Sequence, residues 1–204
     1  MKKIKLAAAI AALSVLGAPV SVAWANPVSS EVGPDLVTNG GFETGNFSGW
    51  TVSGNLANTS VSTTPVQVAH SPTHGVLAGA VTTLNFIEQT IVTTPGAIYN
   101  IHIWVANVSD DSATELRVDW GGATVLDIVN LVGEGIHDYT EFVIDPMATG
   151  ATMNLKIGSR DDTHFLYYDD ISVRLTQVPE PASVALLALG ITGLGFARRR
   201  KNNA

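Results

Sequence analysis

Between residues 35 and 176, apolar and polar positions alternate in short runs, and no long stretch repeats its apolar residues every three or four positions. A period of two, rich in Val, Ile, Thr and aromatics, marks strands, because successive side chains of an extended chain point to opposite faces. The expected strands are 50–53, 85–92, 98–105, 114–120, 124–128, 139–144, 152–157 and 165–175. Turn signals separate them at Thr94-Pro95-Gly96, Gly121-Gly122 and Met147 to Gly150. The clearest alternation puts Tyr99, Ile101, Ile103 and Val105 on one face, and Asn100, His102 and Trp104 on the other. In the last run, Tyr167, Asp169, Ile171, Val173 and Leu175 are expected to share a face. Strands of this number and spacing predict an all-β fold, a two-sheet antiparallel β-sandwich of the jelly-roll kind.

The two ends depart from this pattern. Lys2, Lys3 and Lys5 precede an apolar run from Leu6 to about Leu16, followed by the small residues Ala23 and Ala25 around Trp24. This is the layout of a secretory signal peptide over 1–25, removed by signal peptidase after Ala25. At the other end, Pro179-Glu180-Pro181 precedes an uncharged run from Ala182 to Ala197 and then Arg198, Arg199, Arg200 and Lys201. Sixteen residues make ~24 Å of helix, short of the ~30 Å hydrocarbon core. Cations after such a segment stay cytoplasmic, which places everything before Pro179 outside. Without the Pro-Glu-Pro, the run would read equally well as a plain C-terminal anchor. The expected organisation is therefore a signal peptide (1–25), a loose leader (26–34), the β-sandwich (35–176) and a C-terminal sorting segment (177–204).

Charge is partitioned with the ends. Seven of the eleven Lys and Arg residues lie in them, which leaves Arg117, Lys156, Arg160 and Arg174 against seventeen Asp and Glu between 26 and 178. A surface that acidic repels phosphate backbones and anionic headgroups, which excludes nucleic acid as a partner and favours divalent cations. The chain has no cysteine, so its stability rests on the core without disulfides.

The Pro-Glu-Pro, the apolar run and the basic cluster, in that order over 178–201, resemble the PEP-CTERM sorting signal of Gram-negative bacteria. The resemblance implies that Pro179, Glu180, Pro181, Arg198, Arg199 and Arg200 form a signal recognised by an exosortase. It implies an exported protein of the cell envelope or extracellular space, linked to exopolysaccharide or biofilm, whose tail helix sits in the inner membrane before processing.

The opening Leu36 to Trp50, with Asn39-Gly-Gly-Phe-Glu43 inside it, and the closing Phe165 to Val173, with Asp169-Asp170, resemble the two ends of carbohydrate-binding-module jelly rolls. That resemblance implies that the two motifs lie side by side. It also implies a structural Ca²⁺ held by Glu43, by Asp169 or Asp170, and by carbonyls of Asn39 or Gly41, donors of the hard-oxygen type that Ca²⁺ prefers. Alternatively, Asp169 caps neighbouring amides.

A glycan site needs exposed rings and nearby hydroxyl-binding groups. Trp104 and His102 are the candidates, with Trp120 and Tyr168 as neighbours, while Trp50 reads as core. The sequence holds no His-Glu-x-x-His and no Gly-x-Ser-x-Gly. His70 and His74 fall in a Pro- and Gly-containing loop and make a poor zinc pair, and Asp110-Asp111 and Asp161-Asp162 read as turn residues. Two functions from different classes remain: a structural surface or matrix protein, and a carbohydrate-binding module for an extracellular polysaccharide, with a glycoside-active enzyme as a third, weaker reading.

Overall fold

The computed structural model describes residues 31–63, 69–107, 113–131 and 139–176. The signal peptide, the tail with its apolar run, and the Asp110-Asp111 pair lie outside the described residues. The described chain is all-β. Its strands are β1 (Glu31–Val32), β2 (Thr51–Gly54), β3 (Thr59–Ser62), β4 (Gly75–Ala78), β5 (Asn85–Val92), β6 (Tyr99–Asn107), β7 (Thr114–Trp120), β8 (Ala123–Val129), β9 (Thr140–Ile144), β10 (Thr152–Asp161) and β11 (Leu166–Thr176). One sheet runs β3-β4-β11-β6-β9 with β1 also on β11, and the other runs β2-β5-β10-β7-β8; all pairings are antiparallel.

The core lies between the sheets. Tyr99, Ile101, Ile103 and Val105 of β6 face Ile87 and Ile91 of β5, Leu116 and Val118 of β7, and Leu155 and Ile157 of β10 across it. In these four strands alternation therefore dictated which side is buried, as expected for sheets wet on one face. At one end of the core, Ser159 donates to buried Asn85, whose amide donates to Thr59 of the facing sheet at 2.7 Å. This hydrogen-bonded pair joins the sheets without an unmet polar group on Asn85.

Two expectations need correction. The sequence pattern assigns 26–34 to a loose leader, yet Glu31 and Val32 pair with Thr176 and Leu175. The fold continues past them, since Leu36 N–H donates to Val173 O and Ile171 N–H to Gly40 O. The shared face expected for the last strand also breaks. Asp169 pairs with Trp104 and Ser172 with His102, so β11 carries one extra residue there, and Asp170 takes a φ of 46°. Such a bulge shifts the side-chain phase. Leu166 and Tyr168 point into the core before it and Ile171 and Val173 after it, while Tyr167 lies outside with Ala106.

Candidate functional site

The segment from Leu36 to Trp50 has too many turn residues for a strand, and its aromatics anchor it instead. Phe42 is fully buried, stacked on Trp50 at 5.9 Å and edge-on to Tyr168 at 6.2 Å. Trp50 Nε1 donates to Asn39 O at 3.1 Å. Gly40 lies so close to β11 that a Cβ there would fall 1.9 Å from Ile171 O. The opening and closing motifs thus lie side by side.

Around this seam, three carboxylates hold the loop at 70–74. Asp169, fully buried, accepts from the main-chain amides of His70 (2.9 Å), Ser71 (3.0 Å) and Asp170 (2.7 Å). Burial pushes its carboxyl up to about 7 despite the Ser71 amide, and the neighbouring Asp170 charge adds to the rise. Asp170 accepts from the Ser71 hydroxyl and lies 2.7 Å from His70 Nδ1. Glu43 accepts from Thr73 and His74 amides at 3.1 and 2.9 Å and from the Thr73 hydroxyl at 2.7 Å. Partial burial would raise the Glu43 carboxyl, but the Thr73 hydroxyl and these amides hold it down at about 2.

The space in front of Gly41 is bounded by the same acids. A Cβ there would lie 3.2 Å from Asp170 Oδ1, 3.9 Å from Asp169 Oδ1 and 3.9 Å from Glu43 Cγ. The donor set suits a hard cation. As the side chains stand, no group of three or more His, Cys, Asp or Glu residues among those described is gathered to clasp one.

A cleft of about 440 Å³ opens beside this seam, between the outer face of β6, β9 and β11 and the segment from Glu31 to Gly41. Trp104, His102, Glu141, Ser172 and Arg174 line it from the sheet, and Glu31, Asp35, Gly40 and Gly41 from the segment. The His70 ring stacks on Trp104, with centroids 4.0 Å apart and planes 13° from parallel. His102 stands between two carboxylates, with Nδ1 2.6 Å from Glu141 and Nε2 2.5 Å from Glu31. Arg174 Nε reaches Glu31 at 3.5 Å.

Trp104 and His102 are therefore brought together at a surface cleft. Trp120 and Tyr168, expected beside them, are not. Trp120 is 3 % exposed and Tyr168 fully buried, because both sit at inward positions of their strands. Sequence reasoning missed Glu31, Glu141 and Arg174, whose convergence depends on strand order, and Asp35, which accepts from Val37 and Val173 amides. His70 and His74 turn to different carboxylates, Asp170 and Glu43. Asp161 accepts from the Thr163 and His164 amides, a turn role, while Asp162 accepts from Thr82 N–H.

Comparison with known proteins decides the meaning of the tail. Residues 177–201 match the model of the PEP-CTERM protein-sorting motif. The chain carries a PEP-CTERM sorting signal. The sorting signal, which includes Pro179, Glu180, Pro181 and Arg198 to Arg200, marks an exported protein handled by an exosortase and anchored transiently in the membrane. No curated protein matches the chain in sequence. Among solved structures, the fold is similar to TmCBM61, determined in complex with β-1,4-galactotriose, with a TM-score of 0.54 and 20% identity over 69% of this chain and 98% of that one. It is also similar to the Stig cyclase Fisc from Fischerella sp. TAU, with a TM-score of 0.56 and 13% identity over 74% of this chain and 100% of that one. At these identities the likeness establishes a carbohydrate-binding-module-like jelly roll.

Proposed function

We propose that this PEP-CTERM domain is a non-catalytic, exported glycan binder of a Gram-negative envelope, which holds an extracellular polysaccharide in the Trp104 cleft. The cleft carries this reading. It combines an indole wall with carboxylates and the Arg174 guanidinium, planar groups that hydrogen-bond vicinal hydroxyls. TmCBM61, of similar fold, was solved in complex with β-1,4-galactotriose. The test is retention of the mature protein on affinity gels of extracted exopolysaccharide. Binding that Trp104→Ala abolishes supports the cleft. No retention on any polysaccharide overturns it and favours a purely structural surface protein, and release of sugars reveals an enzyme.

One observation favours a second face. On the outside of the other sheet, Phe86 lies flat beside Gly158, where a Cβ would fall 2.7 Å from its ring, and Lys156 Nζ stands 4.4 Å above it. Glu88, Arg117 and Asp119 surround this ring in paired register, with Arg117 Nε 2.9 Å from Asp119 and Lys156 Nζ 3.6 Å from Glu88. Loss of retention in Phe86→Ala but not Trp104→Ala would move the site there.

Ca²⁺ belongs to the same reading. Asp169, Asp170 and Glu43, with the Asn39 or Gly41 carbonyl, would hold it, and the cation would neutralise a buried carboxylate and fix the seam beside the cleft. Calorimetric melting with Ca²⁺ and with chelator tests this, and an unchanged midpoint counts against the metal. Processing is tested by mass spectrometry of the secreted protein: a C-terminus that retains Arg198 to Ala204 refutes cleavage at the tail.

A further inference from the structure

At one end of the sandwich three stretches of connecting loop carry no charge, although the exposed Asp145 opens the β9–β10 connection there and Glu31 pairs with Thr176. Residues 92–98 (Val-Thr-Thr-Pro-Gly-Ala-Ile), 120–124 (Trp-Gly-Gly-Ala-Thr) and 146–153 (Pro-Met-Ala-Thr-Gly-Ala-Thr-Met) lack Asp, Glu, Lys, Arg and His, in a span from 31 to 176 that holds seventeen acids. Hydrogen bonds join these three stretches into one platform. Thr93 N–H donates to Ala151 O, Gly96 N–H to Ala148 O and Ala148 N–H to Ala97 O, while Trp120 Nε1 donates to Met147 O. The platform exposes large apolar side chains, with Val92 at 75% and Met147 at 57% exposure, and Leu175, one residue before the end of β11, is exposed as well. The opposite end also exposes Leu56 and Val81, but there Thr82 joins Asp162 and Arg160.

The chain leaves the fold at this end. Thr176, the last residue of β11, donates to Ile98 O within the platform. Only 177–181 separate it from the uncharged run beginning at Ala182. Six residue steps span ~20 Å at full extension. The headgroup layer takes up ~6 Å of that. While the tail is in the membrane, the domain is held against the bilayer at high effective concentration. An acidic surface is repelled by anionic headgroups, so the end where the chain departs, whose loops are uncharged but for Asp145, approaches at lower cost than the acidic faces.

We infer that the end formed by 92–98, 120–124 and 146–153 is a lipid-docking surface, on which the domain rests against the outer leaflet of the inner membrane until its tail is cut. The inference rests on the tail being membrane-inserted and goes beyond it by fixing the orientation of the domain. The cleft, with Glu31 and Glu141, then faces sideways, open to polysaccharide. After cleavage the loss of the tether frees the platform, because three exposed side chains without an anchor bind a bilayer weakly.

The chain has no native cysteine, so single-cysteine variants report cleanly. The exported precursor from Asn26 to Ala204 is reconstituted through its own tail into nanodiscs of phosphatidylethanolamine and phosphatidylglycerol. Val92→Cys, Met147→Cys and, as the opposite-end control, Leu56→Cys are each labelled with an environment-sensitive fluorophore. Expected are blue-shifted emission, quenching by lipid-borne doxyl groups and several-fold lower quenching by aqueous iodide at positions 92 and 147, with none of these at 56. Equal iodide quenching at all three positions overturns the docking surface while leaving the tail inserted. A precursor that fails to co-purify with the discs overturns the membrane reading of the tail and the inference with it. Shielding at 92 and 147 that appears only when an exosortase is co-reconstituted also overturns lipid docking and assigns the face to the protease.

Discussion

Asp169→Asn should raise the stability of the metal-free domain at neutral pH and leave it nearly unchanged near pH 4.5. Asp169 is fully buried, and burial pushes its folded carboxyl up to about 7, against 3.8 for a free aspartate side chain. A raised carboxyl means that the folded state binds the proton more tightly than the unfolded one. Stability is therefore full below the unfolded pKa and falls as pH rises from about 4 toward 7. Three units at ~1.4 kcal/mol each give ~4 kcal/mol, a large fraction of the ~5–15 kcal/mol that holds a typical domain together. The three amides that Asp169 accepts from already reduce the cost, and the value near 7 includes them. Asparagine copies the shape of the protonated acid and carries no charge; its amide oxygen can keep the His70 and Ser71 amides, while its NH₂ faces Asp170 N–H and forfeits that one hydrogen bond. The assay is chemical denaturation in EDTA at several pH values between about 4.5 and 7.5, with the difference between variant and parent cancelling every other titrating group. A difference that grows with pH to a few kcal/mol supports the account. A flat difference, or a variant less stable at neutral pH by more than a lost hydrogen bond, ~1 kcal/mol, refutes it.

Three further outcomes follow from the same geometry. Glu43→Gln should cost ~1 kcal/mol at pH 7, a figure reduced for the exposure of this carboxylate. Because the folded Glu43 carboxyl is held at about 2, the difference should shrink as pH falls from about 4.5 toward 2, read as a converging pair of urea midpoints. Gly40→Ala should open the seam, since its Cβ would lie 1.9 Å from Ile171 O, a backbone atom that cannot step aside; a melting midpoint within a degree or two of the parent would contradict this. Trp120→Ala should lower stability by ~3–5 kcal/mol, as for a large core ring, and should leave glycan retention of the folded fraction intact. Loss of retention without loss of stability would return Trp120 to the binding surface.

The period-two alternation was enough to determine the class of fold and most strand positions, because burying one face of each strand is a local demand. β5 and β7 fall where the pattern put them, and Tyr99 to Val105 present the face it assigned. The sorting signal was also legible, because its recognition depends on a linear order of motif, apolar run and cations. The short β1, β3 and β4 carried too few residues for a periodic signal. The rest was decided in three dimensions. An added residue at Asp169 to Ser172 reversed the phase of β11, which sent Tyr168 inward and turned Asp169 and Trp104 to the same outer face. No period in a single strand reveals such an insertion, since a bulge is defined by its partner. Strand order likewise brought Glu31, Glu141 and Arg174 around His102 from positions far apart in the chain, and gathered the uncharged loops at the end where the tail departs. The sequence by itself determined that this is an exported β-sandwich with a PEP-CTERM tail. Only the packing of the sheets decided which residues meet at its surface, because contacts between distant segments depend on strand order and register, which alternation within one strand does not encode.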